Sequence, residues 1–522
     1  MQNHLKRFLI LILLGFAFAH CEAGPTKPDL QVEMTVEEEV PTEKLLADLD
    51  SKDVFLRSQA AIQLGSRQEK KSIPKLKTLL KDTEPGVRAG AAIALGDLQD
   101  KSSTQNIVSL LETDKENPKD VYLDALTRMK DVKAGKNIFP LLNSEDATLR
   151  LQTVEALVQI GAKDQGANIL ALALKNKDRE KDKTYAMALG KLGYAPSENY
   201  LIRITEVQDD SPSLAAAYLA LGRVKSKLGI PNLVKALDHS YSKGKENASM
   251  ALIEIGDPKI ISMTFPLIES KTNETRLYVT DVLASIPSKE AGEKALKLLS
   301  SDKQYTWGSA AKILGRQKFA PAREKLEELL LNQKAPERDS YAEALGWLGD
   351  KRSIPVLRKI LLSGEKEGPY GSAWALGVMQ AKEAIPDLLK AVESSDPKLV
   401  SYSLEALGSI GEADSLPTLI RLLENRPKMA PQILSAIGQI DSEEARIAIE
   451  KATLSSDADV YRPAMEEIAR RKDKNSIPIL FDHVNGEHPE KRKLSYYALA
   501  AVTGEHFRTK QEWNAWRSKS KP

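Results

Sequence analysis

Residues 396–423 read Asp396-Pro397-Lys398-Leu399-Val400-Ser401-Tyr402-Ser403-Leu404-Glu405-Ala406-Leu407-Gly408-Ser409-Ile410-Gly411-Glu412-Ala413-Asp414-Ser415-Leu416-Pro417-Thr418-Leu419-Ile420-Arg421-Leu422-Leu423. Leu399, Tyr402, Leu404, Ala406 and Leu407 recur at helical spacing. Gly408 and Gly411 then take left-handed or crowded positions that end the helix. A second helix opens at Leu416-Pro417, where the missing proline N–H is no loss, and carries Leu419, Ile420, Leu422 and Leu423 on its buried face. One helix pair of this size cannot bury its apolar face alone, so it needs neighbours.

The neighbours are in the sequence. Ala-Leu-Gly or a near relative recurs with its third residue at Gly65, Gly96, Thr127, Val158, Gly190, Gly222, Ile253, Ala284, Gly315, Gly346, Gly377, Gly408, Gly438, Ala469 and Ala500, at spacings of 30 to 32. Nine residues past this position stand Pro74, Pro231, Pro355, Pro386, Pro417 and Pro478. The period predicts an all-α solenoid of about 15 helix pairs repeating every 31 residues over 43–505. Ala and Gly at the ends of the first helix are expected to let the two helices of a pair approach closely. Units three, four, eight and fourteen are among those that lack the glycine, and their turns are expected to differ.

The pattern Asp82-x-x-Pro85-x-Val87-Arg88-x-x-Ala91-Ala92-x-Ala94-Leu95-Gly96 resembles HEAT repeats, specifically the short bacterial kind called phycobilin-lyase-type. Ala344-Leu345-Gly346-Trp347-Leu348-Gly349-Asp350-Lys351-Arg352-Ser353-Ile354-Pro355 is similar to the same repeat. The resemblance implies a right-handed solenoid with second helices along its concave side. It implies little about function, because such solenoids host many roles.

Composition fits that expectation. Apolar residues are 42%, charged residues 28% and aromatics only 5%, which favours Ala/Leu-rich helices in an ordered, soluble chain. Lys+Arg 75 against Asp+Glu 73 leaves net +2, so no global charge recruits nucleic acid or an anionic membrane. The single cysteine excludes a disulfide framework and any multi-thiolate zinc site.

Both ends depart from the repeat. Lys6 and Arg7 precede the apolar run Phe8 to Phe18, which reads as a secretory signal peptide over 1–20 and is too short for a comfortable membrane span. Two processing outcomes are open. Ala17-Phe18-Ala19 fits small-x-small cleavage, whereas Phe18-Ala19-His20-Cys21 resembles a lipobox, with Phe18 and His20 departing from the usual Leu and small residue. Lipidation at Cys21 is the expectation, giving an exported protein in the periplasm or at the outer membrane or cell surface, touching the membrane only through that anchor. Residues 21–42, with Pro25, Pro28, Pro41 and four glutamates from Glu33 to Glu39, read as an acidic tether. At the other end, 506–522 carries Trp513 and Trp516 on one helix face and resembles the Trp-rich closing helix of bacterial HEAT arrays, a cap for the last repeat.

Catalytic chemistry finds no purchase. Six histidines are present, and His483 and His488 lie five apart, off the i, i+4 spacing of a helical metal pair. Gly-x-Ser-x-Gly, the P-loop and the Rossmann fingerprint are absent. Deoxyhypusine hydroxylases hold iron through His-Glu pairs on a HEAT-like solenoid, but here Glu487-His488 and Glu505-His506 run the other way. Phycobilin lyases act in the cytosol, which an export signal opposes. The expectation is a binding scaffold with no catalytic residue, cofactor or metal, an enzyme of unrecognised chemistry being the alternative.

Two surfaces are candidates for a protein partner. Thirteen residues past the repeat position stand Arg203, Lys235, Pro266, Lys297, Glu328, Lys359, Lys390, Arg421 and Lys451, seven of nine cationic. This row suggests a basic ladder for an anionic ligand. Glu206, Asp238, Glu393 and Glu424, three residues further on, offer the opposing reading of paired, solvated helix faces. Trp307 stands where flanking repeats have Arg276 and Arg338, and Trp374 where they have Glu343 and Glu405. With Tyr305, Trp347 and Tyr370 they predict an aromatic partner surface over residues 302–395, helped by close backbone approach at Gly368-Pro369-Tyr370-Gly371; lateral packing of these rings within the solenoid is the alternative.

Overall fold

The structure, a computed structural model, describes residues 40–207 and 211–519. The expected signal peptide and Cys21 lie outside these residues, as does all but the last part of the expected tether. Helix formation follows the repeat. Among the described residues a first helix and a second helix recur fifteen times, from Val54–Ser66 with Ile73–Leu79 to Pro489–Thr503 with Lys510–Lys519, after a leading helix Thr42–Asp48, and in ten of the pairs a short 3-10 turn joins the two. The fold is an all-α, right-handed solenoid, and no strand occurs among the described residues. The described residues form two compact units that divide between Ala94 and Leu95, within the helix Pro85–Asp97.

Local chemistry sets the boundaries. Aspartates cap the first helices: Phe55 N donates to Asp53 at 2.8 Å, Thr148 N to Asp146 at 2.8 Å, and Lys398 N to Asp396 at 2.9 Å. All six recurrent prolines enter at the first turn of a second helix. Pro140 and Pro266 instead fall four residues further along. There Gly135–Ile138 and Lys259–Thr264 give way to 3-10 turns, because an interior proline removes a helical donor.

The first helix closes through a left-handed residue, Gly411 at φ +74° in the quoted unit. Of units three, four, eight and fourteen, three keep this turn, through Lys130, Gly161 and Lys472, so the expected difference holds only for the eighth, which leaves its helix through Ile286 in extended conformation; units seven and fifteen, which also lack the glycine, keep the turn through Gly256 and Gly504. The turn depends on the residue three positions later, four in the last unit.

The repeat glycine serves a different contact from the one expected. A Cβ at Gly346 would lie 2.8 Å from the Ala375 Cα, and one at Gly65 2.5 Å from the Ala94 Cα. Both alanines belong to the next repeat's first helix. Glycine therefore lets successive first helices touch, rather than the two helices of a pair. The seam also explains the buried face of Pro397–Ile410: Val400, Ser403, Leu404, Ala406, Leu407 and Ile410 are buried, while Leu399 and Tyr402 are only half-buried. Ser403 faces inward because a backbone approach of this kind tolerates only small side chains.

At the C-terminal end Trp513 is fully buried. Its ring lies 6.4 Å from Phe481, 5.0 Å from Phe507 and 5.9 Å from Trp516, and its indole N–H donates to the Phe507 carbonyl at 3.2 Å. The helix Lys510–Lys519 thus covers the last apolar face with aromatic area.

Candidate interaction surface

All seven ladder cations are exposed, each on a different second helix: Arg203 on Glu198–Thr205, Lys235 on Ile230–Ala236, Lys297 on Lys289–Leu298, Lys359 on Ile354–Leu361, Lys390 on Ile385–Ala391, Arg421 on Leu416–Asn425 and Lys451 on Glu443–Thr453. Among the described residues, none of the four expected i, i+3 pairs closes as an ion pair. Glu393 accepts instead from Arg421 of the following repeat, at 2.6 Å. Lys390 stands 3.9 Å from Asp387, which already holds Arg358 at 2.5 Å. Lys235, Lys297, Lys359 and Lys451 make no ion pair among the described residues. Exposed contacts such as Arg421–Glu393, whose side chains are 60% and 45% exposed, contribute at most about 1 kcal/mol. A partner's carboxylate can displace them at little cost.

The aromatic residues sit differently from the ladder cations. Trp307, Trp347, Trp374 and Tyr370 are all half-buried. The row of Trp307 is occupied by donors rather than by free charge. Eight residues before the repeat position, Arg57, Arg88, Arg150, Arg276 and Arg492 each donate to the carbonyl six residues earlier, those of Ser51, Asp82, Ser144, Ser270 and Gly486, at 2.6–2.9 Å. Arg338, almost fully buried, reaches the Leu330 carbonyl at 2.6 and 2.8 Å. The Trp307 indole N–H does the same work, donating to the Ser301 carbonyl at 3.2 Å. Trp307→Arg is therefore expected to keep stability within about 1 kcal/mol, while Trp307→Ala loses about 3 kcal/mol. Denaturant melts of the two variants check this.

Trp374 and Trp347 meet edge to face, centroids 5.3 Å apart. Each lies over the glycine of the preceding repeat: a Cβ at Gly346 would sit 3.1 Å from Trp374, and one at Gly315 3.1 Å from Trp347. Tyr370 donates to Asp396 at 2.7 Å beneath the Lys398 ammonium, 4.2 Å from its ring centre. Gly371 does admit a close backbone, but it is the chain's own: a Cβ there would meet the Asp339 carbonyl oxygen at 2.3 Å, and Asp339 accepts from Gly368 N at 3.0 Å and Gly371 N at 2.8 Å. Their half-burial favours the packing alternative for these four rings. Flat rings fill the space that glycine leaves between first helices.

Among the described residues, no group of three His, Cys, Asp or Glu side chains can hold a metal ion. His483 and His488 part company as their spacing implies. His483 is buried, and His488 is exposed with its ring 5.5 Å from Tyr461. Thr453 Oγ1 donates to the Glu450 carbonyl at 2.6 Å, so His483 Nε2–H is the donor in their 2.8 Å contact. Burial, and then the Lys491 ammonium, hold the His483 pKa down to about 4. Lys491 is itself buried, donating to the Ser455 carbonyl at 2.8 Å. An unfolded histidine titrates near 6.5. Between these values the unfolded chain binds the extra proton, so stability is full above about pH 6.5 and falls as the pH drops towards 4. The stability difference between wild type and His483→Gln should shrink by on the order of 2 kcal/mol from pH 7 to pH 4.5 in paired denaturant titrations.

The sequence shows Arg276 and Arg338 beside Trp307 but not the full arginine row, its carbonyl acceptors or the His483–Lys491 pair. Arg57 and Arg88 are 31 apart, so the row was there to be found by the period that exposed the glycines. The lysine and histidine carried no such signal.

Family models place these observations. A model of HEAT repeats matches residues 42–121 and 363–430, and one of the PBS lyase HEAT-like repeat matches 338–363. The fold is that of a HEAT-repeat solenoid. Among solved structures, the likeness that reaches a TM-score of 0.50 concerns the fold alone. The Kap95:Nup1 complex is similar at 14% identity and TM-score 0.50, covering 88% of this chain and 75% of that one. Importin beta in an ammonium sulfate condition is similar at 16% identity and TM-score 0.44, over 88% and 72%. The complex of CpcE and CpcF of phycocyanin lyase from Nostoc sp. PCC7120 is similar at 20% identity and TM-score 0.27, over 47% and 100%. No curated protein matches the chain.

Proposed function

We propose that this chain is a non-catalytic scaffold of the bacterial cell envelope that holds a partner protein on the outward row of its second helices. The observation that carries the reading is the exposure of seven cations, one on each of seven second helices, most of them unclaimed by acids of the same chain. The match of residues 338–363 to the PBS lyase HEAT-like repeat supports the short bacterial repeat type in this reading. In this reading residues 1–20 direct export, Cys21 is acylated, and 21–42 spaces the solenoid from the membrane. The partner in this reading is a protein; a net charge of +2 and the expected export argue against nucleic acid.

Lys359→Glu, Lys390→Glu and Arg421→Glu combined should leave the melting temperature within a few degrees, because all three side chains are exposed. The same variant should release envelope proteins that the wild type captures at low salt, by tenfold or more. Retention of those proteins at unchanged salt sensitivity counts against the row. Metabolic labelling with a palmitate analogue should tag the wild type and not Cys21→Ser; equal labelling, or none, removes the anchor from the account.

A second surface is favoured by one observation. Beside the half-buried aromatic cluster of Trp307, Trp347, Tyr370 and Trp374, Tyr305 is 43% and Val378 46% exposed. Trp374→Ala would separate the two surfaces, since it leaves the cation row intact.

A further inference from the structure

The cation row sits beside exposed aliphatic side chains, and the combination narrows its ligand. Leu362 is 43% and Leu454 59% exposed. They stand three residues after Lys359 and Lys451, as the residues that close the helices Ile354–Leu361 and Glu443–Thr453, so each lies within about one turn of its lysine. In the two intervening repeats the corresponding position holds Glu393 and Glu424, both exposed. A uniformly charged polymer such as nucleic acid or a sulfated polysaccharide would meet repulsion at these glutamates and no use for the leucines. A polypeptide that presents a carboxylate at intervals, with aliphatic groups beside it, meets neither difficulty.

The interval follows from helix packing. The second helices Ile354–Leu361 and Ile385–Ala391 pack against each other, as do Leu416–Asn425 and Glu443–Thr453. Packed helices lie about 8–10 Å apart, so equivalent residues on successive second helices are separated by about 9 Å. A β-strand repeats one face every second residue, about 6.7 Å, and drifts out of step with such a row within two cations. A polyproline II helix repeats one face every third residue, at about 9.3 Å. Its backbone is also ordered before binding, which lowers the entropy lost on docking.

We propose that the second helices of repeats ten to thirteen bind a proline-containing acidic segment of a partner in polyproline II conformation, with a carboxylate at every third residue on Lys359, Lys390, Arg421 and Lys451 and aliphatic side chains on Leu362 and Leu454. The proposal rests on the reading that the second-helix row is the partner face. Fluorescence anisotropy of the full chain tests it with three labelled probes: the peptide (Glu-Leu-Pro)4, its counterpart (Glu-Ser-Pro)4, and a twelve-nucleotide oligothymidylate. The first should bind about tenfold more tightly than the other two. Leu362→Ser with Leu454→Ser should erase that preference, and Lys359→Glu with Lys390→Glu and Arg421→Glu should weaken the first probe about tenfold. Because every substituted side chain is exposed, circular dichroism should be unchanged in all variants. If the three probes bind alike and charge reversal removes them together, the row is a general anion face: the function proposed above stands and this inference is overturned. If no probe binds the wild type, this inference is overturned, and the row is judged by the partner capture alone.

Discussion

Gly346→Val is expected to destabilise the array by about 3 kcal/mol and to split its unfolding into separate steps. The new Cβ would lie 2.8 Å from both the Cα and the Cβ of Ala375, and the Trp374 ring at 3.1 Å closes the remaining side. Neither a backbone atom nor a wedged indole can retreat, so repeats ten and eleven must separate along their first helices. In a stack where each repeat holds only its neighbours, a lost interface uncouples the segments on either side. Gly349→Ala is the matched control. Gly349 has φ +71° with nothing within 4 Å of the added atom, so that change should cost only the left-handed backbone term, about 1 kcal/mol. Denaturant melts of both variants measure the difference. Equal costs would mean that backbone conformation, rather than the glycine seam, decides these positions.

Trp513→Ala is expected to cost about 3–5 kcal/mol, but its effect should stay local. The ring is fully buried against Phe481, Phe507 and Trp516, so truncation leaves a large cavity where the helix Lys510–Lys519 covers the last pair. A terminal repeat has one neighbour rather than two, so the fifteenth pair should lose hydrogen-exchange protection while the central repeats keep theirs. Protection lost evenly along the chain would show that the array unfolds as one block and that the terminal helix guards all of it.

The helix pairs and their period were legible because each repeat must solve the same packing problem with the same residue types. Pro417 and its equivalents, Gly411, and the Ala-Leu-Gly seam all read directly as local geometry. What the seam joined was not legible, since a small residue signals a close approach without naming what approaches: Gly346 meets Ala375 of the next repeat. The same limit explains Trp307. A tryptophan in an arginine row looked exposed until the row proved to be a line of donors to Ser270, Ser301 and Leu330 carbonyls. The cation row was visible from spacing, because outward positions follow from helix periodicity. Its pairing was not visible, since Glu393 could turn to Lys390 or to Arg421, and only the geometry between repeats places it on Arg421.

The central claim is that the partner sits on the second helices rather than the first. A photo-crosslinking amino acid placed at Lys359 or Lys390, and separately at Glu343 or Glu405 on the first helices, tests it in the native envelope. Covalent adducts to another protein from the second-helix positions, suppressed by high salt and absent from the first-helix positions, are the predicted result. Adducts confined to Glu343 and Glu405 would contradict it and move the partner to the aromatic face beside Trp374.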